Sequence, residues 1–280
     1  MSRRADARVT ASTVQLADGA TEATVDLKGG RVASLVVDGM KLLVRDGADE
    51  FHWGSFPMAP WAGRLRHGRL EFGGRVVRLP VNAPPHALHG LVTDRVWDLL
   101  AVDKRSVSLA IDLGLTPSDP WPWPCRVVQT VVLHEHGADF ELEVHAEDPA
   151  PAHVGWHPWF RRTLRPGDPS AQLQVSSGEV YLNGPDGLPT GERSAPPPPP
   201  WDYCFVGLAE APRVRWPGVL ELTVDSDCPY WVLFDEEPAG ICVEPWTGPP
   251  NCLNGPQAGV VSSEQPLTAS MSWRWRHLDA

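Results

Sequence analysis

Basic residues are scarce in this chain. Of 280 residues, 24 are Lys or Arg against 35 Asp or Glu, a formal charge of −11. No positive field exists to displace counterions from phosphates, which argues against a nucleic-acid partner. Long apolar runs are missing too: no segment approaches the roughly 20 residues of a membrane span, so no membrane partner is expected. The opening MSRRADARVTASTVQLADG has two arginines but no apolar stretch after them, unlike a secretory signal. The five cysteines (Cys125, Cys204, Cys228, Cys242, Cys252) are odd in number and contain no CxxC pair. Reduced thiols used for packing in a cytoplasmic protein account for them. No glycine-rich phosphate loop of the P-loop or Rossmann type occurs. No stretch of ten or more residues keeps a persuasive 3.6-residue period.

Proline, by contrast, is abundant. Its 30 copies are about twice the average usage of roughly 5%, and each removes a donor and clashes with a preceding helical turn. The periodicity that does exist has a repeat of two. RVASLVVDGMKLLV reads as two strands around Asp38-Gly39, and RLEFGGRVVRL repeats the pattern around Gly73-Gly74. Residues 96–113 and 126–148 read as two more antiparallel pairs. In DFELEVHAED, Phe140, Leu142, Val144 and Ala146 alternate with Glu141, Glu143, His145 and Glu147, giving one buried and one wet face. Later strands are expected at Leu220–Val224, Tyr230–Phe234, Ile241–Val243 and in SMSWRWRHL. Strands at such spacing with Gly/Pro turns predict an all-β fold, a large antiparallel β-sandwich without long helices, forming one domain over residues 1–280. APPPPP (195–200) reads as a stiff interstrand loop.

Two short segments carry chemistry. Glu244 ends an apolar strand in GICVEPWTGPPN, where desolvating a carboxylate is costly unless its charge is used. His157 lies among aromatics in HVGWHPWF. Together they read as a proton acceptor and a proton donor aimed into one pocket. His134 and His136 project to one side of an extended segment, but no third metal ligand accompanies them and a hairpin end explains them better. No metal site is predicted.

Five segments occur in order: PMAPWAGRLRHGRLEFGGRVVRLPVN (57–82), HALHGLV (86–92), HVGWHPWF (153–160), WDYCF (201–205) and VEPWTGPPNCLN (243–254). The series resembles the aldose 1-epimerases, or galactose mutarotases, from about residue 30 to the C-terminus. The resemblance implies a galactose mutarotase-like sandwich and a cofactor-free isomerase of a small-molecule sugar. It makes Glu244 the general base and His157 the general acid. Arg64, His89 and Asp202 become hydroxyl- and ring-oxygen-binding positions, and Trp246 a stacking or narrowing wall. The chain departs from the family pattern at Gly63, where asparagine is common, at Trp159 (tyrosine) and at Trp246 (glutamine).

Plainer roles stand beside these. Glu244 and His157 are also compatible with a satisfied core network, His89 with a turn bonded to backbone, Arg64 with a surface ion pair and Asp202 with a turn cap. Two alternative functions follow. Arg161, Arg162 and Arg165 suit an anionic sugar, a hexose 6-phosphate or sulfonated sugar, held bidentately. A non-catalytic carbohydrate-binding domain on the same fold is the other. The oligomeric state is left open.

Overall fold

The computed structural model describes residues 7–45 and 47–278. Its two principal sheets have 12 and 8 strands, and all the strand pairings within them are antiparallel. Among the described residues, helix is limited to two three-residue 3-10 turns, Arg66–Gly68 and Cys252–Asn254. The proline density and two-residue period anticipate both facts. Asp38 and Gly39 take φ of 47° and 78°, the left-handed pair that a tight two-residue hairpin needs between Arg31–Val37 and Met40–Lys41. The hairpins at residues 69–78, 98–113 and 125–145 also form where the pattern puts them. The proline run lies between the strands Pro189–Ser194 and Asp202–Val206.

Several strands are not readable in advance. Thr13–Asp18 and Thr21–Asp26 form an edge hairpin, and Ser55–Met58 enters the middle of the larger sheet. All four residues of Ser55–Met58 are buried, so no alternation marks them, and a proline interrupts the run.

The two sheets pack face to face. Phe160 of the larger sheet meets Trp273 of the smaller at 5.2 Å between ring centres, and Trp156, Ile241 and Val243 join Phe140, Leu142 and Met271 in one apolar core. The strand Gly155–Arg161 is buried almost throughout, and its side chains alternate between two faces. Trp156 and Phe160 enter the intersheet core. His157 and Trp159 face the other way, where Phe56, Met58, Cys204, Val232, Cys242 and Trp246 make a smaller apolar cluster. That outer face is the floor of the site. All five cysteines are buried and free, as packing thiols should be.

Candidate active site

Sheet register assembles the floor. Gly155 pairs with Trp246 and Trp159 with Cys242, so the same register sets His157 opposite Glu244. Phe56 flanks His157 on one side and Val232 flanks Glu244 on the other. His157 Nε2 lies 3.4 Å from Glu244 Oε1, although the two residues are 87 positions apart in the sequence. They are 7% and 2% exposed. His157 Nδ1 and Glu244 Oε2 have no hydrogen-bond partner among the described residues. A buried carboxylate and imidazole with unused polar atoms are costly to the fold and ready for a ligand.

Burial pushes Glu244 well above the usual carboxylate range; the Asp202 charge adds to that, while Trp246 and Arg64 oppose it. Burial likewise pushes His157 well below the ordinary imidazole value, helped by His89, Arg31 and His52. Attraction between a carboxylate and an imidazolium at 3.4 Å works against both displacements. The two groups therefore titrate as one coupled pair. His157 also stacks on Phe56 at 4.9 Å and 21°, and the Arg31 guanidinium sits 4.5 Å from the centre of the Phe56 ring.

Loops complete the walls. A cavity of about 170 Å³ is lined by Arg64, His89, His157, Asp202, Glu244 and Trp246, so all six residues singled out in the sequence meet there. His89 has φ of 58°, unusual for a residue with a side chain. Its backbone N–H donates to Gly63 O at 3.0 Å, and the Gly63 N–H donates to His89 Nδ1 at 3.3 Å. An accepting Nδ1 leaves the proton on Nε2, so neutral His89 presents an N–H donor. Burial and the Arg64 charge lower its pKa to about 3, which keeps it neutral. The turn role and the cavity role of His89 thus coexist. Arg64 NH2 lies 3.9 Å from Asp202 Oδ2, both about two-fifths exposed, a weak pair open to a ligand.

Residues 12–205, about two-thirds of the chain, match the aldose 1-epimerase family. The chain belongs to that family. Its similarity to the Escherichia coli (strain K12) protein YihR is 28% identity over 178 residues, covering 60% of this chain and 56% of the length of YihR. A galactose mutarotase-like protein of Clostridium acetobutylicum has a similar fold, with a TM-score of 0.83 and 15% identity over 97% of this chain and 98% of that one. Galactose 1-epimerase of Lactobacillus acidophilus NCFM gives 0.75 and 17%, over 95% and 94%.

Within this epimerase-family pocket some residues were not anticipated. His52, Phe51 and Asn183 line it as well. His52 Nδ1 lies 2.6 Å from Asp49 Oδ1 and its ring lies 5.3 Å from Trp159. The D-x-x-H spacing beside two aromatics in DEFHW was the available signal. Buried Arg31 holds this loop through the carbonyls of Trp53 and Glu50.

The arginines behind the anionic-sugar reading lie elsewhere. Arg162 donates to the carbonyls of Asp235 and Glu237, Arg161 to that of Thr163, and Arg165 contacts Met40 Sδ. None of them lines the cavity. Arg162 and Arg161 are committed to loop carbonyls, and Arg165 rests against Met40. His134 bonds Asp139 across its hairpin end, as expected. Among the described residues, one trio of possible metal donors comes together: His157, Cys242 and Glu244, within 4.8 Å. Burial and the nearby Glu244 raise the Cys242 thiol well above its usual value, and a protonated thiol is a poor ligand.

Proposed function

We propose that this protein is a cofactor-independent aldose 1-epimerase that interconverts the α and β anomers of a free hexose or related sugar. We read both sheets as one domain serving that one site. The observation that carries the proposal is the His157–Glu244 pair: an imidazole and a carboxylate 3.4 Å apart in a cavity also lined by Arg64, His89 and Asp202. Anomerisation needs this arrangement because O1 and O5 hang on the same carbon. The groups that serve them must be near neighbours.

In the forward step Glu244 takes the proton of the C1 hydroxyl while His157 gives one to O5. The C1–O5 bond breaks, leaving an open-chain aldehyde. Rotation about C1–C2 turns the other carbonyl face to the C5 hydroxyl. His157 then removes the hydroxyl proton as O5 attacks C1, and Glu244 returns its proton to O1. Each positioned group typically contributes about 10²–10⁴-fold. Arg64 and His89 donate hydrogen bonds to sugar oxygens, and Asp202 accepts from hydroxyls.

The active form of the pair carries one proton in total. Acid adds a second and alkali removes the first, so the rate against pH should be bell-shaped. A flat polarimetric profile between pH 4 and 9 would contradict the acid–base assignment. Arg64→Ala and Asp202→Ala should each raise KM roughly tenfold or more, the worth of one charged hydrogen bond, with a smaller effect on kcat. Unchanged KM in both would remove them from the binding set.

The Arg64 guanidinium in the wall already faces the Asp202 carboxylate. That balance favours an uncharged sugar. Polarimetry of glucose, galactose and glucose 6-phosphate tests it, with the phosphate expected to give no advantage.

A further inference from the structure

We propose that Trp246, seated between Gly63 and Gly155, is the specificity-determining wall of this pocket, and that it selects aldoses whose facing edge carries no hydroxyl. This rests on the mutarotase reading above and adds a substrate class to it.

The indole is held at both ends by glycines with no room for a side chain. A Cβ on Gly155 would lie 2.6 Å from Trp246 Cδ1 and 3.1 Å from Cγ. A Cβ on Gly63 would lie 2.5 Å from both Cη2 and Cζ3. The ring therefore runs from its own strand across Gly155, its cross-strand partner, and ends on Gly63. Gly63 has φ of +68°, where a side chain is strained in any case, and its two hydrogen bonds to His89 fix its position. The edges of His89 and His153 close on the indole at 6.4 and 6.0 Å. The result is a rigid wall 3% exposed to solvent.

Its chemistry is that of hydrocarbon. The one polar atom, Nε1, is buried and has no hydrogen-bond partner among the described residues. Being buried, it is not presented to the sugar edge. The wall on the opposite side of the His157–Glu244 rung is Trp159, whose Nε1 is committed to Phe51 O at 2.6 Å. Two indoles thus bracket the reacting rung, and neither offers an acceptor to a hydroxyl. A hydroxyl pressed against Trp246 loses its hydrogen bonds to water without replacement. The cavity of about 170 Å³ is also smaller than the roughly 300–1,000 Å³ of drug-sized sites, which suits one monosaccharide ring.

The experiment compares kcat/KM for matched sugars: glucose against 2-deoxyglucose and xylose, and galactose against 6-deoxygalactose and arabinose. In the wild type, the member lacking a hydroxyl or hydroxymethyl group should exceed its parent at least tenfold in one pair, within the range an apolar pocket achieves. Trp246→Gln should bring that ratio back toward one. Trp246→Phe covers the case in which the glutamine variant does not fold: it vacates the Gly63 end and should cut the preference at least threefold. Wild-type ratios all within about threefold, or a preference unmoved by either variant, would overturn the inference while leaving anomerisation standing. Absence of turnover on every sugar would sink the mutarotase reading, and this inference with it.

Discussion

Glu244→Gln should slow anomer interconversion by about 10²–10⁴-fold while raising the thermal midpoint at neutral and alkaline pH. The two effects have one cause. Glu244 is held in an apolar floor with an unpaired oxygen, and burial raises its pKa well above 4.5. A carboxyl whose folded pKa is raised costs the fold nothing below its unfolded value, where both states are protonated. As pH climbs from there toward the folded value, only the unfolded chain ionises freely, and stability is lost. The amide variant escapes that loss. Each kcal/mol recovered is worth about 2–4 °C at this chain size. Calorimetry at pH 4 and pH 8 should therefore show a gain for the variant that is larger at pH 8. Equal midpoints at pH 8 would mean that the carboxylate is better solvated than its burial implies. Sugar binding measured alongside separates enzyme from binding domain: a mutarotase loses rate and keeps much of its affinity, whereas a pure binder has no rate to lose.

Trp156→Ala should lower stability by about 3–5 kcal/mol, a fall in thermal midpoint of roughly 10 °C. Trp156 is fully buried between the sheets, and its indole N–H donates to Gln129 Oε1 at 3.3 Å. Gln129 in turn donates to Gly30 O at 2.5 Å. Truncation leaves a cavity and cuts this chain of contacts. The side chain points away from the pocket, so the protein that remains folded should keep its KM. A large KM change with little loss of stability would reverse the assignment of faces along Gly155–Arg161.

Hairpins and alternating strands were legible because a half-buried antiparallel strand writes its two faces into the sequence. In the terminal strand Leu267–His277, Trp273 and Trp275 are buried and Arg274 and Arg276 exposed, as SWRWR suggests. Ser55–Met58 was not legible, since burial on both faces erases the alternation. The six site residues could be named because their segments are distinctive. Their meeting point depends on register between strands that are 87 residues apart, which no local pattern encodes. His52 escaped notice because its role comes from a loop held by Arg31, a contact between distant elements. The charge of the arginines after HPWF was evident, but their partners, loop carbonyls and Met40 outside the cavity lining, depend on distant elements.

The His157–Glu244 pair is fixed by register in the interior of a broad sheet, whereas Arg64, His89 and His52 come from a two-stranded ribbon and loops, and Asp202 from the start of another strand of that sheet. On the proposed reading, reactivity sits on the sheet and most of recognition on the loops around it. On that reading, such a scaffold can exchange its loops and address another saccharide while its central pair stays in place.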